Sequence, residues 1–321
     1  MTALPATDLQ HRFRAMASNV TVRVIDPRPG AEAAIDEVER LFAQVERTCT
    51  RFDESSDLMR ANANATEWTT VAPQCLGAIT SAFDAYLVTG GAFDPRVLNA
   101  LTGLGYDRSL DFVGGSVVTA GGEVSSGGLP PWTPEFDIDN SRVRIGPEPI
   151  DLGGIGKGYA VRLGIAALAG RGRSALVEAG GDLATYGDGP DREPGESRGW
   201  RAAVEDPRGG SAPIAVLDVT VAAAATSSIR LRRWRSGDRD VHHLIDPSTG
   251  QPSTSRLLAV TVIDGDTAWA EVWTKVCFLA GAEGIRDVVE REGLTAYWVD
   301  TSGTAHCSAS MRDRILWEAR S

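Results

Sequence analysis

No apolar run in the sequence is long enough to cross a bilayer. The opening, MTALPATDLQHRFRAM, holds neither an apolar signal core nor a lipid-attachment cysteine, so a cytoplasmic protein is expected. Cysteine is scarce: Cys49, Cys75, Cys277 and Cys307 are scattered, and no pair has metal-ligand spacing, which points to reduced, structural thiols. Positive charge is also in short supply. With 43 acidic against 32 basic residues the formal net charge is −11, which argues against nucleic acid or an anionic membrane surface as the main partner. An anionic small ligand stays compatible, because its site needs only a local positive patch. Repeats, low-complexity tracts and linkers are missing too, and residues 1–321 read as one continuous domain.

The elements that are present alternate in type. A strand is expected at 19–26, and residues 31–48 place Ile35, Val38, Leu41, Phe42 and Val45 on one helical face. A second helix is expected from Pro73 to Val88, stopped by Gly90-Gly91. Residues 107–150, rich in Gly, Pro, Ser and Asp, read as hairpins and loops. A helix over Gly158–Leu168 precedes SALVEAGGDLATYG, which reads as two strands joined at Gly180-Gly181. WRAAVEDP, PIAVLDVTVAA, LLAVTVID and LTAYWVD are further strands, the last preceded by helices at 267–280 and 282–291. Strands outnumber crossover helices, so the expected class is α+β with mostly antiparallel sheets and packed helices.

The most informative stretch is DLGGIGKGYAV, Asp151 to Val161. A P-loop requires Ser or Thr after its lysine, and here Gly158 follows Lys157; the order Gly153-Gly154-Ile155-Gly156 also misses the dinucleotide fingerprint. Clustered backbone N–H groups at a helix start still favour an anion, the plainer alternative being a glycine turn into a core helix. Lys157 is either a cation for that anion or a solvated lysine at the helix start. HHLIDPSTG, from His242, carries a histidine suited to taking a proton from a hydroxyl. Asp246 and Thr249 there fit an Asx-type turn as well as a ligand contact.

Four separated stretches, GAFDPRV (91–97), DLGGIGKGYAV (151–161), VEAGGDL (177–183) and ATSS with HHLIDPSTGQP (225–228 and from 242), resemble in this order the ApbE family of FAD:protein FMN transferases. RFDESSDLMRAN, ending at Asn62, fits the same pattern, and the likeness runs from about Met16 to Gly281. The resemblance implies a T-fold-like architecture that binds FAD and Mg²⁺. It further implies transfer of FMN to a Ser or Thr hydroxyl of an acceptor protein, with AMP leaving. Catalysis of that kind rests on positioning and on cations and N–H donors around the pyrophosphate. The implied cofactor contacts are Met16, Asn62, Asp94, Gly153, Gly154, Lys157, Glu178, Gly180, Gly181, Asp182, Thr226, Ser227, His243, Asp246 and Thr249. His243, Lys157 and Lys275 take the implied catalytic roles. The acceptor pattern is Asp-Gly-x-Thr-Gly-Ala-Thr-like, and DGDTAWA at 264–270 lacks its final hydroxyl, so a separate acceptor flavoprotein is implied. An FAD-binding protein or an FAD pyrophosphatase releasing FMN and AMP is the alternative.

The implied metal site departs from the family. A carbonyl from the glycine loop, that of Gly156, is matched, but Glu271 stands at the family's Asp position and Lys275 at its Thr position. A one-residue slip would supply Thr274 as the hydroxyl. The favoured expectation is that the Lys275 ammonium occupies the metal's place, a protonated lysine being no ligand; the bland reading is a surface Glu271–Lys275 pair.

Overall fold

Alternating apolar residues create a sheet buried on both faces. The computed structural model describes residues 7–110, 117–122, 128–190, 199–230 and 232–319. Eight strands form the main sheet: β1 (Asp8–Ala15), β2 (Ser18–Ile25), β3 (Ser174–Ala179), β4 (Asp182–Tyr186), β5 (Ala223–Ser228), β6 (Leu257–Asp264), β7 (Thr295–Asp300) and β8 (Ala305–Cys307). Their order across the sheet is their order in the chain, and every neighbouring pair is antiparallel.

Val20, Val22, Val24, Ala175, Val177, Val260 and Val262 face the helical side. There α1 (Ala31–Cys49) contributes Ile35, Val38, Phe42 and Val45, as its periodicity predicts. Two short helices, α2 (Asp57–Ala63) and α4 (Leu98–Gly103), and the longer α3 (Pro73–Val88) and α5 (Gly156–Ala167) also lie between β2 and β3 in the chain. The second face of the sheet, with Leu183, Ala224, Ile263 and Tyr297, packs on Trp200, Val204, Ala215 and Leu217. Those residues belong largely to a three-stranded antiparallel sheet of 201–205, 213–218 and 315–318.

The two helices expected after 267 are present: the helical residues Thr267–Glu292, together labelled α6, are divided at Gly281, whose φ of 72° and ψ of 175° are not helical. Asp266 caps its start, its Oδ1 accepting from the N–H groups of Ala268 and Trp269 at 2.9 and 3.1 Å. A last short helix, α7 (Ala309–Arg312), precedes the strand at 315–318. The loops and hairpins expected over 107–150 include 111–116 and 123–127, which lie outside the described residues; Glu135–Asp137 and Arg142–Arg144 form one of the hairpins.

Helices α5 and α6 touch backbone to backbone at Gly158. A Cβ there would stand 2.6 Å from the Thr267 carbonyl oxygen and 2.9 Å from the Ala268 Cα. Gly158→Ala is therefore expected to destabilise the protein by about 1–3 kcal/mol, the usual cost of overpacking, read as a lower urea midpoint at unchanged slope.

Candidate active site

The turn between β1 and β2, the end of α1, the 92–95 segment, the glycine loop, α6, residues 243–245 and Pro247 enclose a pocket of about 400 Å³, within the range of small-ligand sites. Gly153, Gly154, Gly156 and Lys157 line it from the start of α5. A Cβ on Gly154 would come within 3.1 Å of the Phe93 ring and 3.4 Å of the Lys275 stem, so glycine lets the loop lie between them without crowding either. Met16 and Ala17 form the tight β1–β2 turn with left-handed φ of 52° and 56°, a conformation that favours Asn and Gly. Glu46 secures it, its Oε1 accepting from the Met16 N–H at 2.9 Å.

Four charged groups meet beside the loop. The Lys157 ammonium bonds Asp182 Oδ2 and stands 3.1 Å from Glu271 Oε1. The Lys275 ammonium reaches the same Oε1 at 3.1 Å and the Glu271 carbonyl at 3.2 Å. Glu271 Oε2 accepts from the Gly158 N–H at 2.8 Å. Burial works against the charge of every member, and the partners decide the outcome. Asp182 and Glu271 outweigh burial at Lys157 and hold it above the ordinary lysine range. Burial, aided by Lys157, leaves Lys275 below that range. Burial also raises the Asp182 carboxyl, to about 6, whereas the two lysines draw Glu271 down to about 2 against the same penalty.

His243 lines the same pocket. Its Nδ1 lies 3.2 Å from the Arg232 carbonyl, which can only accept, so Nδ1 carries the proton and Nε2 the lone pair. Burial, and then the Arg232 guanidinium, push its pKa well below the ordinary histidine value, which keeps the ring neutral. His242 is instead committed to structure: its Nε2 donates to the Ser253 carbonyl at 2.9 Å and its Nδ1 accepts from the Leu244 N–H at 3.3 Å.

The sequence profile of the ApbE family matches residues 16–298, a span reaching from the β1–β2 turn into β7. The chain belongs to the ApbE family. A relative named FAD:protein FMN transferase from Treponema pallidum is 29% identical over 92% of this chain and 85% of its own length. Proteins of the same name from Klebsiella pneumoniae and Escherichia coli K12 are 31% identical over 48% of this chain, and the match spans only 43% of their length. Among solved structures, the ApbE protein of Thermotoga maritima superposes with a TM-score of 0.79 at 25% identity, covering 98% of this chain and all of that one. The flavin transferase ApbE of Vibrio cholerae shares the fold, with a TM-score of 0.74 at 22% identity over 97% of this chain and 100% of that one.

This ApbE chain gathers Met16, Asp94, Gly153, Gly154, Gly156, Lys157, His243 and Lys275 around the pocket, with Asp182 and Glu271 beneath. Asp94 is already engaged: Arg96 holds its carboxylate through Nε and Nη2 at 3.0 and 2.7 Å. Other residues expected to touch the cofactor have structural partners and lie outside the pocket wall. Asn62 spends its whole amide on Ile150, donating to the carbonyl and accepting from the N–H, each at 2.9 Å. Glu178 closes the β3–β4 turn by accepting from the Gly181 N–H at 3.0 Å, and Gly180 and Gly181 supply that turn's φ of 59° and 94°. Thr226 bonds Thr261 across the strands at 2.9 Å, and Ser227 bonds Thr274 at 2.7 Å. Asp246 and Thr249 make the Asx-type turn: Asp246 Oδ1 accepts from the Ser248 N–H at 2.9 Å and Thr249 Oγ1 from the Gln251 N–H at 3.2 Å.

The residues present do not fit a divalent cation. Both carboxylate oxygens of Glu271 already accept from N–H donors, two of them ammonium groups, and unit charges about 4 Å apart repel by about 4 kcal/mol at an effective dielectric of about 20. Thr274, the alternative hydroxyl, is fully buried and donates to the Glu271 carbonyl at 2.7 Å. Gly156 is the first residue of α5, so its carbonyl points along that helix. Among the described residues no group of His, Cys, Asp and Glu has a metal-binding arrangement.

Arg51 was not anticipated from the sequence. Its guanidinium lies 4.3 Å and 4.2 Å from the Phe52 and Tyr106 rings, donates to the Tyr106 carbonyl at 2.5 Å and sits 3.8 Å from Asp151. All four residues line the pocket. The available signal was the RF pair that opens the Asn62 stretch.

Proposed function

We propose that this ApbE protein transfers FMN from FAD to a Ser or Thr hydroxyl of a separate acceptor flavoprotein, with AMP as the leaving group. One observation carries the reading: a neutral histidine and two lysine ammoniums line one pocket, beside a loop of closely approached glycines. FAD, as substrate, supplies the pyrophosphate. The glycine loop and Lys157 and Lys275 hold it and offset the charge on its oxygens. His243 Nε2 takes the proton of the acceptor hydroxyl as its oxygen forms the new bond to the FMN phosphorus. The bond from that phosphorus to the bridging oxygen breaks, and AMP departs with the oxygen.

An acceptor in trans fits the fold, because Thr267 of DGDTAWA is 1% exposed at the start of α6 and cannot reach the pocket as a nucleophile. The reading assigns residues 1–321 to one flavin transferase domain acting in the cytoplasm; among the described residues no helix is long and apolar enough to cross a membrane.

The test is AMP release from FAD with and without a peptide of the Asp-Gly-x-Thr-Gly-Ala-Thr type. Transfer requires AMP that depends on the peptide, and flavin fluorescence that stays with the peptide after denaturation. AMP without peptide modification makes the protein an FAD pyrophosphatase. Intact FAD under all conditions leaves a flavin-binding protein.

A further inference from the structure

The four charges beside the glycine loop are layered. Asp182 and Glu271 lie beneath, with side chains 0% and 2% exposed, and the side chains of Lys157 and Lys275 lie above at 15% and 14%. The pocket therefore meets ammonium groups, and the carboxylates that hold them are hidden from it. Lys157 comes from α5 and Lys275 from α6, yet both ammoniums approach one oxygen, Glu271 Oε1, at 3.1 Å. Together they bring two positive groups to one point on the pocket side, with the Glu271 and Asp182 carboxylates balancing them from beneath.

We infer that this lysine pair takes the place of a divalent cation, binding the substrate pyrophosphate directly and keeping Mg²⁺ and Mn²⁺ out of the same position. Three features carry it. Mg²⁺ demands six oxygens in near-octahedral array at 2.0–2.1 Å, and here both Glu271 oxygens accept from N–H donors, which leaves Asp182 Oδ1 as the single carboxylate oxygen of the cluster without a partner. The Lys275 stem lies against Gly154, 3.4 Å from where a Cβ would stand, so the loop and the lysine pack closely together. Lys275 is anchored on both the carboxylate and the carbonyl of Glu271, four residues earlier on α6, which fixes the ammonium beside the loop. The pyrophosphate in this inference rests on the FAD reading above; the exclusion of the ion does not.

Two measurements on the full-length protein test it separately. In the first, free Mn²⁺ is counted by electron paramagnetic resonance during titration of the wild type and of Lys275→Ala, with no nucleotide present. The wild type takes up no Mn²⁺ at micromolar concentrations, and Lys275→Ala binds it at least about tenfold more tightly, which corresponds to ~1.4 kcal/mol or more. Equal uptake by the two proteins, or tight uptake by the wild type, overturns the inference.

In the second, FAD affinity is read from flavin fluorescence in EDTA and in Mg²⁺. The wild type gives the same affinity in both, and Lys275→Met, which keeps the stem against Gly154 and removes the charge, loses about tenfold or more in both, on the scale of a charge-assisted contact. A wild-type affinity that collapses in EDTA and returns with Mg²⁺ also overturns the inference. FAD failing to bind in any buffer defeats the flavin reading instead, and the Mn²⁺ titration still decides whether the lysines exclude the ion.

Discussion

His243→Ala is expected to lower FMN transfer by about 10²–10⁴, the usual contribution of a positioned general base, while FAD affinity stays near that of the wild type. The comparison needs single-turnover transfer to peptide alongside an equilibrium flavin titration. A parallel loss of both would make His243 part of the binding wall and not the base. The pH profile supplies an independent check. Burial and the Arg232 guanidinium keep the imidazole neutral well below its ordinary value, so the acid limb of the rate attributable to this group lies below pH 6.5. The same shift is linked to folding. As pH falls through 6.5 the unfolded chain binds a proton that the folded histidine refuses, so this group's contribution to stability declines toward acid. In His243→Gln that part of the decline disappears from urea midpoints measured between pH 7.5 and 5.5.

The largest stability effect is expected at Glu271. Glu271→Ala removes the carboxylate shared by Lys157 and Lys275 and leaves the Gly158 N–H without its acceptor. Breaking a buried ion pair from one side typically costs about 3–5 kcal/mol, because the surviving charge stays buried and unpaired. For a protein of this size that is on the order of a 10 °C fall in Tm. Lys157 keeps Asp182, so the stranded charge is that of Lys275. Adding Lys275→Met to Glu271→Ala is therefore expected to recover part of the loss, and strict additivity of the two in calorimetry would refute the coupling. The wild-type contribution of Glu271 also depends on pH. Its carboxyl is held at about 2, below the unfolded value near 4.5, so its stabilisation is complete above that unfolded value and drains away as pH falls toward 2.

The sequence exposed those parts of the fold that local periodicity governs. Helices α1 and α3 repeat apolar residues on one face, and α3 begins at Pro73 and ends just before Gly90-Gly91. β1, DLQHRFRA, escaped notice because it is an edge strand whose residues are nearly all partly or fully exposed, which leaves little apolar alternation to read. Helices α2 and α4 have only 7 and 6 residues, too few for a face to repeat. At the site, the glycines and Lys157 were legible because a backbone without Cβ atoms beside a cation already states a steric and electrostatic demand. For Asn62, Thr226 and Asp246 a ligand contact, a cross-strand hydroxyl pair and an Asx turn use the same polar atoms, so the sequence cannot choose among them. Arg51 meets Tyr106 and Asp151 only through the tertiary fold, so its one local trace was the RF pair with Phe52.

The order of strands in the main sheet bears on how the protein reaches this state. β1–β2 and β3–β4 are joined by tight turns at Met16-Ala17 and Gly180-Gly181, but β2 meets β3 by placing Ile25 opposite Ser174, across all of α1 to α5. Closing so long a loop carries an entropic cost that local pairings avoid, and non-local pairing of this kind slows folding. The pocket draws its walls from the end of α1, the start of α5 and α6, on both sides of that junction. It cannot exist before the junction closes. Until then Val20, Val22 and Val24 lie on an uncovered strand, open to pairing with another chain.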